Sequence, residues 1–275
     1  MEQVKAVFNG SFDSLDNIQV SPLSRAYTFS DSVYEVVPFY NSSPIAYENH
    51  IERLQKSASA LSMKINLDMI SNEIKKLIAL CESKAGYVYY QVTRGQDLIR
   101  SHMHSNDMEI ETFGYVLAHT FETKSLKTMI CEDLRWGRCD IKSTSLLGNV
   151  LSMNKAREKG CDEVIMHNNN ILTEAGASNL FFVKDDDICT PALSNNILPG
   201  ITRQILIDTL LDIDIKVYEK DFTLDDLKLA SSAWLTSSTK GIAPIEKIIN
   251  LDCNLSLNND KYLIAKKVFD SNFFN

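Results

Sequence analysis

The sequence predicts an α/β (α+β) protein of two domains, with strands and helices in each. Strand-like runs and helix-like stripes interleave in both halves of the chain. The 275 residues, 44% of them hydrophobic, suffice for one large core or two moderate ones. Between Thr120 and Lys127 the stretch Phe121-Glu122-Thr123-Lys124-Ser125-Leu126 loses apolar periodicity and turns small, polar and charged, as a domain linker does. The expected organisation is a smaller N-terminal domain over 1–120, a linker over 121–127 and a larger C-terminal domain over 128–275.

In the first half, Val33 to Tyr40 is an apolar-rich run broken by the turn cluster Asn41-Ser42-Ser43-Pro44, which predicts a hairpin returning through Ile45 and Tyr47. A helix is expected to begin near His50, with Ile51, Leu54 and Leu61 inward. A second begins at about Asn66, with Leu67, Ile70, Ile74, Leu77 and Leu80 on one stripe. The aromatic and β-branched run Tyr87 to Thr93 reads as a strand. In the second half, Leu146 to Lys159 reads as a helix closed by Gly160. Glu163 to His167 and Asn179 to Val183 read as strands punctuated by Asn168-Asn169-Asn170 and Asp185-Asp186-Asp187. Thr202 to Leu211 is helical by pattern, Ile213, Ile215 and Val217 alternate as in a strand, and Thr223 is placed to cap a further helix.

A formal net charge of -8 without a Lys/Arg-rich cluster argues against a nucleic-acid partner, while leaving room for a small anionic substrate met by local cations. The segment Met1 to Lys5 lacks a basic region followed by an apolar one, and no apolar run approaches the ~20 residues that span a bilayer. A cytoplasmic protein without a membrane partner is therefore expected. The six cysteines are scattered, with no Cys-x-x-Cys and no metal-ligand spacing, which predicts free thiols and no metal.

The chemistry lies in an ordered set of short motifs. Lys142 sits in Arg138-Cys139-Asp140-Ile141-Lys142-Ser143. Thr173-Glu174-Ala175-Gly176-Ala177-Ser178-Asn179 follows, and then Leu198-Pro199-Gly200-Ile201-Thr202-Arg203. Taken singly, each is an ordinary lysine, loop carboxylate or helix start. Taken in order, they are an amine, a carboxylate and a cup of backbone N–H groups, which is what pyridoxal 5'-phosphate needs at its aldehyde, pyridine nitrogen and phosphate.

Further matching stretches are Asp31 to Val37, His50 to Leu54, Gln91 to Gly95, Trp136 to Ser143 and Leu235 to Thr239. With them the chain resembles the fold-type IV pyridoxal-phosphate enzymes, and within these the D-amino-acid transaminases. The resemblance implies Lys142 as the Schiff-base lysine, carried by the C-terminal domain, and Glu174 as partner of the pyridine nitrogen. Ser178 and Asn179 would help to hold the ring. Arg53, Ile201, Thr202 and the Ser238 hydroxyl would contact the phosphate, with Leu198, Gly200 and Thr239 as further cofactor-binding residues. Arg100-Ser101-His102 resembles the family's Arg-x-His carboxylate trap, with Tyr34 as its third member; residues two apart in an extended segment share a face, so both cations could grip one α-carboxylate.

The implied activity is exchange of an amino group between D-amino acids, such as D-alanine or D-glutamate, and 2-oxo acids by a ping-pong route. The implied assembly is a homodimer in which the Arg-x-His pair serves the neighbouring subunit. Alternatives within the fold are L-branched-chain transamination and aminodeoxychorismate lyase chemistry, and outside catalysis a silent cofactor-binding protein. Three departures from the family pattern stand out: Ser30-Asp31-Ser32 where glycines are usual, so that any positive φ there would be strained; Ala175-Gly176-Ala177, poor in hydroxyls; and Lys240-Gly241. The first two predict altered cofactor affinity or rate rather than a different reaction, and Lys240-Gly241 has no physical account in the sequence.

Overall fold

The computed structural model describes residues 3–105 and 107–274. The chain divides into two compact units, 1–120 with 141–145, and 121–140 with 146–275. Lys142, expected in the second domain, therefore groups with the first.

The first unit is a six-stranded sheet, antiparallel throughout, with helices on one face. Its elements are β1 (Lys5–Phe8), β2 (Ser11–Ser14), α1 (Arg25–Phe29), β3 (Ser32–Tyr40), β4 (Ser43–Pro44), α2 (Tyr47–Ala60), α3 (Leu67–Leu80), β5 (Gly86–Thr93) and β6 (Glu111–Ala118), and the strands lie in the order β2-β1-β6-β5-β3-β4. The period of two along β5 sorts its side chains. Val88, Tyr90 and Val92 are buried with Ile51 and Leu54 of α2 and Ile70, Ile74, Leu77 and Ile78 of α3. Each fully buried large aliphatic side chain contributes roughly 1.5–3 kcal/mol. On the other face Tyr89 stacks between Tyr34 and Tyr115, at centroid distances of 5.5 and 5.2 Å. Asn66 caps α3 by accepting from the Met69 N–H at 3.1 Å.

Two expectations shift here. The hairpin's return strand is only Ser43–Pro44, and α2 starts at Tyr47, three residues before His50.

The second unit holds β7 (Leu126–Glu132), α4 (Leu147–Glu158), β8 (Glu163–Asn168), β9 (Ile171–Ala175), β10 (Asn179–Lys184), β11 (Asp187–Pro191), α5 (Ile201–Leu211), β12 (Val217–Lys220), α6 (Leu224–Lys228), β13 (Ser232–Ser237), β14 (Gly241–Ile248) and α7 (Asp260–Phe273). Its mixed eight-stranded sheet runs β12-β11-β10-β13-β14-β7-β8-β9. Leu180, Phe182, Ala233, Leu235, Ala243 and Ile245 are buried in its main core with Leu227 of α6. Thr223 caps α6 in a reciprocal capping box with Asp226. The alternation expected at Ile213, Ile215 and Val217 is a helix exit instead. Asp214 turns the chain at φ 60°, Ile213 is exposed, and β12 begins only at Val217.

Among the described residues no helix is long and apolar enough to cross a membrane. No group of three or more His, Cys, Asp or Glu side chains among them is placed to hold a metal. All six cysteines are free.

Candidate active site

In the first unit, Lys142 is held by its backbone. Its N–H donates to Ser57 Oγ of α2 at 3.2 Å, and its carbonyl accepts from the Tyr34 N–H of β3 at 3.0 Å. An isolated bridge between Val33 and Ser143 and the buried side chain of Ile141 complete the anchorage. The half-buried side chain runs across the Tyr34 ring, with Nζ 4.4 Å from its centroid.

Beside it lies an ion network between Glu35 of β3 and two residues three apart on one face of α2, His50 and Arg53. Arg53 donates from Nε to Glu35 Oε1 at 2.7 Å and from Nη2 to Oε2 at 2.8 Å, while His50 Nδ1 lies 2.7 Å from Oε2. Burial of Glu35 acts to raise its pKa, but Arg53 and His50 outweigh burial and hold the carboxyl well below the usual range. Burial pushes the His50 imidazole down, against the opposing pull of Glu35. The Arg53 fork is thus fixed in direction along one edge.

Arg100 and His102 are exposed, in an irregular loop after β5. Both rest on Phe29. The Arg100 guanidinium carbon lies 4.7 Å from that ring's centroid, and the His102 ring lies 5.4 Å from it. Tyr34, the expected third member of the trap, has other ring partners, Tyr89 and the Lys142 ammonium.

In the second unit, Glu174, one residue before the end of β9, is a buried carboxylate held from three sides. Arg135 donates to Oε1, Asn179 Nδ2 donates to Oε2 at 3.0 Å, and the Leu198 N–H is shared between both oxygens at 3.2 Å. Arg135 is itself clasped by Asp133, from Nε at 2.9 Å and Nη2 at 2.7 Å. Burial raises Glu174 to about 7 even with Arg135 beside it, because the desolvation of a fully enclosed carboxylate outweighs one shared cation. Asn179 also donates to the Leu198 carbonyl at 3.0 Å, tying β10 to the approach to α5. Gly200 precedes that helix because a Cβ there would sit 1.9 Å from Asn179 Oδ1. The N-cap of α5 is Gly200, which has no side chain to accept from the first-turn N–H groups, those of Ile201 and Thr202 among them.

The Ser178 hydroxyl faces away from Glu174's clamp and donates to Glu163 Oε2 at 3.3 Å. Lys240 completes this cluster by pairing with Glu163 Oε2 and donating to Ser178 Oγ at 3.3 Å, while the Ala177 N–H donates to Glu163 Oε1 at 2.8 Å. Ser238 and Thr239 lie half-buried in the turn between β13 and β14. Sequence reasoning missed Glu35, Asp133, Arg135 and Glu163 as parts of these clusters. Asp133-Leu134-Arg135, an acid two residues before a base and just upstream of the Trp136 motif, was the available signal for one of them.

The family model described as amino-transferase class IV matches residues 32–248. The chain belongs to the class IV aminotransferases. A relative named D-alanine aminotransferase from Listeria monocytogenes serotype 1/2a is 38% identical over 255 residues, covering 89% of this chain and 88% of its own. Among solved structures, the branched-chain amino acid aminotransferase of Escherichia coli superposes with a TM-score of 0.89 at 20% identity, covering 99% of this chain and 95% of its own. That of Thermobaculum terrenum, described in its PLP form, gives 0.88 at 18%, covering 100% and 95%. These two likenesses establish the fold.

The class IV cofactor is pyridoxal phosphate, and the donor set suits it. The uncapped start of α5 offers N–H groups to a dianion. The long, shared Leu198 hydrogen bond leaves acceptor capacity on Glu174, whose ionised form would be favoured by a protonated pyridine nitrogen.

Proposed function

We propose that this aminotransferase exchanges the amino group between D-amino acids and 2-oxo acids, with Lys142 as its reactive amine and Glu174 as the carboxylate at the cofactor's ring nitrogen. The observation that carries the reading is the 38% identity with a D-alanine aminotransferase over 89% of the chain, against 20% with a branched-chain enzyme of the same fold. When bound, pyridoxal phosphate supplies an electron sink for the electrons released at the substrate's α-carbon.

The chain's own groups do the rest. Lys142 Nζ takes the α-proton from one face of the substrate and would hand it on to the cofactor's aldehyde carbon. Its backbone, pinned by Ser57 and Tyr34, fixes where that amine starts. Glu174 holds a proton at the ring nitrogen, while Arg135, Asn179 and Leu198 keep its carboxylate in one orientation. Arg53, the Ser238 hydroxyl and the N–H groups of Ile201 and Thr202 would hold the phosphate, with Thr239 a further cofactor contact. Arg100 and His102 grip the substrate's α-carboxylate, Tyr34 bordering the same site. Their exposure on one chain suits service to the neighbouring subunit of a homodimer, working in the cytoplasm.

Purified protein is offered D-alanine with 2-oxoglutarate, L-leucine with 2-oxoglutarate, and aminodeoxychorismate in separate reactions. Pyruvate from the D-alanine reaction alone is expected. Turnover of L-leucine in preference to D-alanine would overturn the stereochemical assignment, and borohydride trapping without a pyridoxyl adduct on Lys142 would overturn the assignment of the amine.

A further inference from the structure

Arg25 lies on α1, outside every motif that carries the reaction, yet its side chain is only 5% exposed and each of its three nitrogens has a partner. Nε donates to Asp31 Oδ2 at 2.9 Å, Nη1 to the Ser101 carbonyl at 2.7 Å and Nη2 to the His102 carbonyl at 3.3 Å. Its guanidinium carbon lies 4.5 Å from the centroid of Phe29, the ring on which Arg100 and His102 rest.

Asp31 is fixed in turn by Arg94, which donates Nε to Oδ2 at 2.7 Å and Nη2 to Oδ1 at 3.1 Å, and which donates Nη2 to the Leu61 carbonyl after α2 at 2.6 Å. The backbone adds a second tie, since the Arg25 N–H donates to the Gly95 carbonyl at 2.8 Å and Ser24 bridges Gln96. An irregular, surface-exposed loop is thereby joined to the sheet at its root, through 95–96, and again at the pair of residues whose side chains matter.

We infer that Arg25, with Asp31 and Phe29, is a positioning cluster that presets the Arg100/His102 pair for a substrate carboxylate. The inference rests on the reading of that pair as the carboxylate grip, and adds what holds it. The physical reason is specific to a guanidinium. Two carbonyls one residue apart need a planar fork with separate donors, and a third donor must be tied to a fixed acid for the fork to keep its direction. Phe29 supplies a common floor for Arg25 and Arg100, and the Asp31 carboxylate makes two cations on one ring tolerable. Without the fork, the loop keeps its root but loses the tie at 101–102, and the grip must be ordered anew at each binding event.

The test compares wild type with Arg25→Ala, Arg25→Lys, Phe29→Leu and Arg100→Ala, in holoenzyme, by steady-state kinetics with D-alanine and 2-oxoglutarate. For Arg25→Ala, KM for D-alanine is expected to rise by about tenfold or more while kcat stays within about threefold, as when uniform substrate binding is lost. Arg25→Lys and Phe29→Leu should move KM in the same direction by less. The cofactor's visible absorbance should be retained and the melting temperature should stay within a few degrees in at least one of these variants. KM within about twofold of wild type in all three, with Arg100→Ala impaired, overturns the positioning role and leaves the carboxylate grip standing. A joint loss of cofactor, kcat and fold in all three assigns Arg25 a purely structural role and also overturns it. A wild-type enzyme without turnover of D-alanine brings down the reading beneath it.

Discussion

Ser30 ends α1 in the left-handed region, at φ 52° and ψ 32°, its N–H donating to the carbonyls of Arg25 and Ala26. A side chain in that conformation costs about 1 kcal/mol, and glycine would relieve it while adding about 0.5 kcal/mol of unfolded-state entropy. Ser30→Gly is therefore expected to stabilise by about 0.5 kcal/mol, a rise of roughly 1–2 °C in melting temperature by calorimetry. This strain was legible from the family's glycine at the turn; Ser32, the other departure, is extended in β3 and carries none. Gly200 illustrates the opposite case, because its φ of -68° suits any residue and only the space is missing. The amide of Asn179 occupies that space, so Gly200→Ala should displace Asn179 from Glu174 Oε2. The expected result is a cofactor dissociation constant raised by about tenfold, read by titrating cofactor-free protein with pyridoxal phosphate and following its absorbance. An unchanged constant would show that Asn179 is dispensable to the carboxylate. Sequence reading placed Asn179 beside the ring but could not give this contact, since residues 179 and 200 meet only once β10 and α5 are packed.

Elements with strong local signals were read well, and elements defined by partners were not. The Asn66 cap of α3, the Thr223 cap of α6 and the stripe Ile70, Ile74, Leu77 come from rules that act within about four residues. The two-residue β4 and the helix exit at 213–216 defeat such rules, because hairpin extent and strand ends are set by the neighbouring strand. Lys240, in the turn joining β13 to β14, had no account from its own neighbourhood for the same reason. Its partner Glu163 starts β8, 77 residues away, and is fully buried. The pair binds the turn that carries Ser238 and Thr239 to the turn that carries Ala177 and Ser178. Lys240→Met leaves a buried carboxylate without its cation and should cost about 3 kcal/mol. That is the lower end of the range for buried pairs, since the Lys240 side chain keeps 33% exposure. In urea denaturation, adding Glu163→Gln to Lys240→Met should recover most of the loss. A double variant no more stable than the single one would mean that the cation acts on something other than Glu163.

At the scale of the whole molecule, interleaved strands and helices and the change of composition near Thr120 make two α/β units legible, while the return of Ile141–Ser145 to the first unit is not. Those five residues carry no composition change; they join the first unit because Lys142, Ser143 and Thr144 pair with β3 and the residues before it. The candidate site is similarly half-legible. The proposed amine Lys142 and the carboxylate Glu174 stand in motifs, but the partners of Glu174, Arg135 and through it Asp133, and the Glu35 network beside Lys142 are gathered by folding. One consequence reaches global stability. Burial lifts Glu174 from 4.5 to about 7, so between those values the folded protein binds a proton that the unfolded chain has released. Stability from this group is therefore greatest at low pH and falls as pH rises from about 4.5 to about 7, by about 3 kcal/mol in all. Glu174→Gln has no such proton to lose. In cofactor-free protein, the stability of the Gln variant relative to wild type should climb by that amount across the interval and then level off, whatever constant offset comes from the altered contact with Arg135. Urea denaturation at closely spaced pH values measures the difference directly. A flat difference, or one that falls with pH, would mean that Arg135 outweighs burial and that the carboxylate is fully ionised before any cofactor arrives.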